Sequence, residues 1–150
     1  MIDGVKIKIL KVIPDDRGSL MEILRCDDEI FEKFGQVYMT TVYPGVIKAW
    51  HYHKIQADNF ACVSGKILFA LYDGRSNSST FGELDDFILS LDEPKLIHIP
   101  KGVYHGFKNI GDSEAIVINA VTNPYNHNNP DEYRVDAFDK KIGYKWERKE

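Results

Sequence analysis

Short apolar runs separated by turn residues recur along the chain, and most are too brief or too strictly alternating to suit a helical period. That pattern predicts strands. They are expected at residues 6–13, 20–24, 36–43, 45–53, 59–63, 67–72, 86–91, 96–100, 105–109 and 115–121. Pro14-Asp-Asp-Arg-Gly18 reads as a turn, because proline presets φ and glycine accepts positive φ. Ser64-Gly-Lys66 reads as a tight hairpin, and 73–82 as a polar surface loop. The one helical candidate is 27–35, with Asp27 or Asp28 as cap, Ile30, Phe31 and Phe34 as an apolar side, and Gly35 as its stop. Many strands with short helical segments predict an all-β sandwich or barrel.

From about residue 122 the character changes to Asn-Pro pairs and charges, ending in Ile142-Gly-Tyr-Lys-Trp146. Late aromatics in a polar tail predict that it folds back onto the barrel, since a disordered tail has little use for them. With 150 residues, 43% of them hydrophobic and 28% charged, one domain spanning 1–150 is expected. A formal charge of -4 and a pI near 5.7 argue against nucleic acid and anionic membranes as partners. No run approaches the roughly 20 apolar residues of a membrane span, and the start has no apolar signal core. These features point to a cytoplasmic protein with a small-molecule partner. Cys26 and Cys62 make no disulfide framework, and Cys62, within Phe-Ala-Cys-Val, reads as a packed small hydrophobe.

The chemistry concentrates in Gly45-Val-Ile-Lys-Ala-Trp-His-Tyr-His53. On a strand, His51 and His53 leave one face while Trp50 and Tyr52 leave the other. A lone strand histidine is usually a core or surface residue, so the weight lies in the set. Gly45, His51, His53, Asp58 and Gly65 are followed by Pro100, Gly102, His105 and Asn109. This series resembles the two-part signature of the cupins, whose double-stranded β-helix, a jelly-roll barrel, faces both motifs into its interior. The resemblance implies a possible metal set of His51, His53, Asp58 and His105, since imidazoles with one carboxylate suit several transition metals. Asp58 stands where cupins usually carry glutamate.

A second resemblance covers more of the chain. Asp16-Arg-Gly-Ser-Leu-Met-Glu22, Lys48-Ala-Trp-His-Tyr-His53, Ser79-Thr-Phe-Gly82, Ile99-Pro-Lys-Gly-Val-Tyr-His-Gly-Phe107 and Asp139-Lys-Lys-Ile-Gly-Tyr-Lys-Trp146 occur in that order. Together they resemble the dTDP-4-dehydrorhamnose 3,5-epimerase family, a metal-independent branch of the cupins that acts on nucleotide-linked 4-keto sugars. The resemblance implies α-proton abstraction with His51 as base and Asp139 as the carboxylate that orients it. It implies substrate contacts from Arg17, Glu22, Lys48, His105 and Asn119, a nucleotide-diphosphate sugar as partner, no cofactor, and a homodimer. At two positions the chain departs from the family: Asp58 falls where its enolate-stabilising lysine stands, and Asn119 where its tyrosine stands. Tyr38, Tyr104 and Tyr125 are left as candidates for the acid.

Two alternatives remain open at this point. In one, a metal bound by His51, His53, Asp58 and His105 supplies the missing electrophile. In the other, the pocket binds a sugar nucleotide without turning it over.

Overall fold

The computed structural model describes residues 1–147. Its strands are β1 (Lys6–Ile9), β2 (Val12–Asp15), β3 (Gly18–Met21), β4 (Gln36–Val42), β5 (Ile47–Tyr52), β6 (Asp58–Ser64), β7 (Lys66–Asp73), β8 (Leu84–Ser90), β9 (Lys95–Ile99), β10 (Val103–Asn109), β11 (Ala115–Val121) and β12 (Tyr133–Arg134). They pair antiparallel into two five-stranded sheets, β1-β9-β6-β11-β4 and β12-β5-β10-β7-β8, with β2 and β3 forming a separate hairpin. Among the described residues there is no helix, and none is therefore long and apolar enough to cross a membrane.

The inner faces of the sheets enclose the main core, to which Phe60, Ile67, Phe69, Leu71, Leu89 and Ile97 belong. Strand β7 is a continuous apolar run because both its faces are covered. Ile67, Phe69 and Leu71 point inward, whereas Leu68 and Ala70 point outward into a second cluster with Trp50, Ile142 and Trp146. The chain after β12 thus covers the outer face of the second sheet. Trp146 is 3% exposed, its ring lies 5.2 Å from that of Trp50, and its Nε1 donates to the Ala137 carbonyl at 3.0 Å.

Two expectations are corrected. Residues 27–35 form turns: the Asp28 carboxylate accepts from the Arg25 backbone N–H and from Lys8 Nζ, and Phe31 N–H bonds to the Asp28 carbonyl three residues back. Ile30 packs on a small cluster with Leu10, Ala61 and Leu96, but Phe34 is exposed, so too little apolar surface is buried to offset the cost of nucleating a helix. The single strand expected over 6–13 is broken at Leu10, whose side chain enters that same cluster and whose N–H bonds to Pro94.

Close backbone approach positions the site. A Cβ on Gly106 would lie 2.3 Å from Ala49 Cβ, so only glycine lets β10 come this near β5. The ladder between them sets His105 opposite His51 and then shifts register before Phe107. At Gly65, φ of +80° closes the β6–β7 hairpin.

Because Trp146 seals the outer cluster, Trp146→Ala should lower unfolding stability by roughly 3–5 kcal/mol. Denaturant titration against the parent protein checks this, and an unchanged midpoint would show that the closing segment contributes little.

Candidate active site

At one end of the barrel a cavity of about 860 Å³ opens between the sheets. His51, His53 and His105 from the second sheet face Tyr38 from the first, and Lys48 and Glu132 complete the polar wall. Alternation along β5 puts His51 on the cavity side and Trp50 in the outer cluster, as the sequence predicts. The segment between β11 and β12 closes the rim. There Asp131 accepts hydrogen bonds from the backbone N–H groups of Lys54, Ile55 and Gln56, at 2.8 to 3.0 Å.

Asp58 is the buried charge of the site. Its Oδ2 lies 3.2 Å from Nε2 of both His53 and His105, as ion-pair contacts in which neither N–H is aligned for a hydrogen bond, and its Oδ1 accepts from Gln56 Nε2 at 2.8 Å. Burial alone would raise the carboxyl pKa, but the imidazoles of His105 and His53 outweigh it and hold the group well below the usual carboxylate range. On the other side of His53, Nδ1 meets the Asp131 carbonyl at 2.6 Å, so Nδ1 must carry a proton. Burial works against charge on His53, yet Asp58 and Asp131 prevail and raise its pKa.

His51 is tuned the opposite way. Burial and the neighbouring His105 bring its pKa down to about 4, against an opposing pull from Glu132. At neutral pH the ring is therefore an unprotonated base. Its Nδ1 lies 3.5 Å from Glu132 Oε1, and Arg134 Nη2 donates to that same oxygen at 3.2 Å. Strand β12 makes this possible by pairing Arg134 with His51 and Tyr133 with Tyr52.

The cavity gathers His51, Lys48 and His105 from the expected set. Lys48 Nζ donates to the Thr41 carbonyl at 2.7 Å, within reach of the opening. Asn119 stands directly behind Tyr38 and donates to its hydroxyl at 2.8 Å. Arg17 and Glu22 lie outside the cavity, Arg17 paired with Asp15 and Glu22 with Arg25. Asp139 is not brought to His51 either. Its carboxylate accepts from the N–H groups of Lys141 and Ile142 in the closing turn, while Glu132 occupies the place beside Nδ1. Of the four-residue metal set, His53, Asp58 and His105 each place one ligand atom within 4.8 Å of the others; His51 stands apart from that group.

The profile of the family described as dTDP-4-dehydrorhamnose 3,5-epimerase matches residues 1–150. The chain belongs to this family. It is 44% identical over 146 residues to the spore coat polysaccharide biosynthesis protein SpsL of Bacillus subtilis (strain 168), covering 97% of each chain. It is 41% identical over 136 residues to the probable low-salt glycan biosynthesis epimerase Agl13 of Haloferax volcanii, covering 89% of this chain and 87% of the relative. The crystal structure of a dTDP sugar isomerase from Desulfovibrio desulfuricans G20 superposes with a TM-score of 0.91 at 33% identity, covering 97% of this chain and 92% of that one. The all-β cupin-type barrel expected from the motifs is the fold of this epimerase family.

Sequence reasoning missed Glu132. The segment holding it has no apolar alternation, and a two-residue strand leaves no periodic trace. In an NMR titration, the His51 midpoint should fall well below 6.5. Glu132→Gln should move it lower still, because the carboxylate favours the charged ring. A midpoint at or above 6.5 would contradict this electrostatic description.

Proposed function

We propose that the protein is an epimerase or isomerase of a nucleotide-linked 4-keto-deoxy sugar, working by proton abstraction at a carbon beside the ketone. The observation that carries the reading is His51: a neutral imidazole on the wall of a large cavity, with a carboxylate beside Nδ1 and its other nitrogen left for substrate. Family membership supplies the substrate class.

In this reading Glu132 orients the ring and stabilises the imidazolium that forms when Nε2 takes the α proton. Asp58 is kept from the substrate by the His53 and His105 rings that stand 3.2 Å from its carboxylate and line the cavity in its place. Lys48, on the cavity wall, would meet a diphosphate oxygen as a point charge, without the bidentate fork of an arginine. The protein works in the cytoplasm and needs no cofactor.

Arg17 and Glu22 belong, we infer, to the cavity of a second copy. They sit on or beside the β2–β3 hairpin, whose Ile13 and Leu20 are 51% and 60% exposed, while the open edge strand β4 displays Val37 and Met39. A homodimer covering these apolar residues would bring the hairpin to its partner's opening. Light scattering should give twice the chain mass, and mixing Arg17→Ala with His51→Ala protein should restore part of the activity that each lacks alone. A monomer, or no complementation, rejects this arrangement.

Incubation with dTDP-4-dehydrorhamnose in deuterated water should show deuterium entering the positions beside the ketone by NMR. His51→Ala should cut that exchange by about 100-fold or more. Exchange that survives in the variant would remove His51 as base. Exchange abolished by a chelator would favour metal-assisted enolisation at His53, Asp58 and His105 instead.

A further inference from the structure

Proton abstraction by His51 leaves the carbon to be reprotonated from its other face, and the cavity wall across from β5 is built by β4. Gln36, Tyr38 and Thr40 point from β4 into the cavity, while Val37 and Met39 point away from it. Given the epimerase reading above, on which this inference rests, we propose that Tyr38 is the acid that delivers the returning proton, and that Asn119 is its positioning residue.

The hydrogen bonds around Asn119 dictate which way the phenol proton points. Register between β4 and β11 sets Tyr38 opposite Asn119. Asn119 is 1% exposed, and its Oδ1 accepts from the backbone N–H of Asn59 at 3.1 Å. That bond fixes the amide, because the reversed orientation would set a donor against a donor. Its Nδ2 therefore faces the Tyr38 hydroxyl, at 2.8 Å. An amide nitrogen only donates, so the phenol oxygen accepts and its own proton must be used elsewhere. Among the described residues it meets no protein acceptor. The proton is left for whatever occupies the cavity.

The phenol also stays protonated. The residue is 38% exposed overall, and its hydroxyl is held by buried Asn119. Burial, with the charges of Asp58 and Glu132 nearby, pushes its pKa to about 12. That is still far below a ketone's α C–H, so transfer to an enolate carbon runs downhill. In the step itself the Tyr38 O–H bond breaks, a C–H bond forms at the α carbon, and the enolate electron pair returns to the carbonyl. The phenolate then recovers a proton from water, and His51 releases the one it took.

The other tyrosines do not match these conditions. Tyr104 stacks on Tyr52 at 4.2 Å, on the face of β5 turned away from the cavity. Tyr125 lines the rim and is 45% exposed, and its ring meets His127 edge-on; among the described residues no buried group fixes its hydroxyl.

Tyr38→Phe keeps the ring but removes the hydroxyl both as donor and as acceptor for Asn119 Nδ2, so a folded protein with a modestly lowered melting temperature is expected. With dTDP-4-dehydrorhamnose in deuterated water, the variant should form inverted product about 100-fold more slowly. Deuterium should nonetheless continue to enter the recovered substrate with unchanged configuration, through His51 alone. Asn119→Ala should show the same separation in weaker form, with kcat reduced more than KM is raised. Inversion within twofold of the parent, or equal loss of exchange and inversion in a folded Tyr38→Phe protein, overturns the proposal while leaving the function intact. A parent protein that shows no exchange at all overturns both.

Discussion

The contact between Asp58 and its two imidazoles ties the barrel together where the chemistry is expected. Asp58 starts β6 in one sheet, while His105 lies on β10 in the other and His53 just follows β5. A carboxylate 1% exposed would be costly without compensation, and removing one member of such a buried pair typically costs about 3–5 kcal/mol. The two sheets are thus held at a set separation at the mouth of the cavity. Elsewhere the core between them is mainly apolar, with Asn109 Nδ2 on β10 donating to the Val42 carbonyl on β4 at 2.9 Å as a second, uncharged tie.

The same contact gives two histidines on one strand face different properties. His53 has a carbonyl at one nitrogen and a buried carboxylate at the other, and its charged form is favoured. His51, two residues earlier, is buried beside His105 with only a longer contact to Glu132, and its neutral form is favoured. One imidazole is spent on structure, and the other would be kept for the proposed proton transfer. Across the cavity, an amide locked by a backbone N–H leaves a phenol proton unused. Base and acid would then stand on opposite sheets, which is what inversion at carbon needs.

Much of the barrel was legible because two-residue alternation and turn residues act locally. The β6–β7 hairpin at Gly65 and the opposed directions of Trp50 and His51 both follow from neighbouring residues. The helix expected over 27–35 failed because Asp28 spends its side chain and its carbonyl on turn bonds, and because only Ile30 on its apolar side reaches a core cluster. Glu132 was invisible since nothing within its own segment connects it to His51. Only the two-residue pairing of β12 with β5 does so. Asp139, named by motif order, lies in the closing turn, where it accepts bonds from the backbone of its own segment.

By itself the sequence determined the class of fold, the family, and the strand whose one face carries His51 and His53, since each depends on residue order and spacing. Which carboxylate meets which imidazole, and which tyrosine meets the cavity, was decided only by the tertiary structure. Those pairings join residues far apart in the chain, Tyr38 to Asn119 and His51 to Glu132. Their protonation states follow from burial and from charges on neighbouring strands, neither of which is in place until the barrel folds.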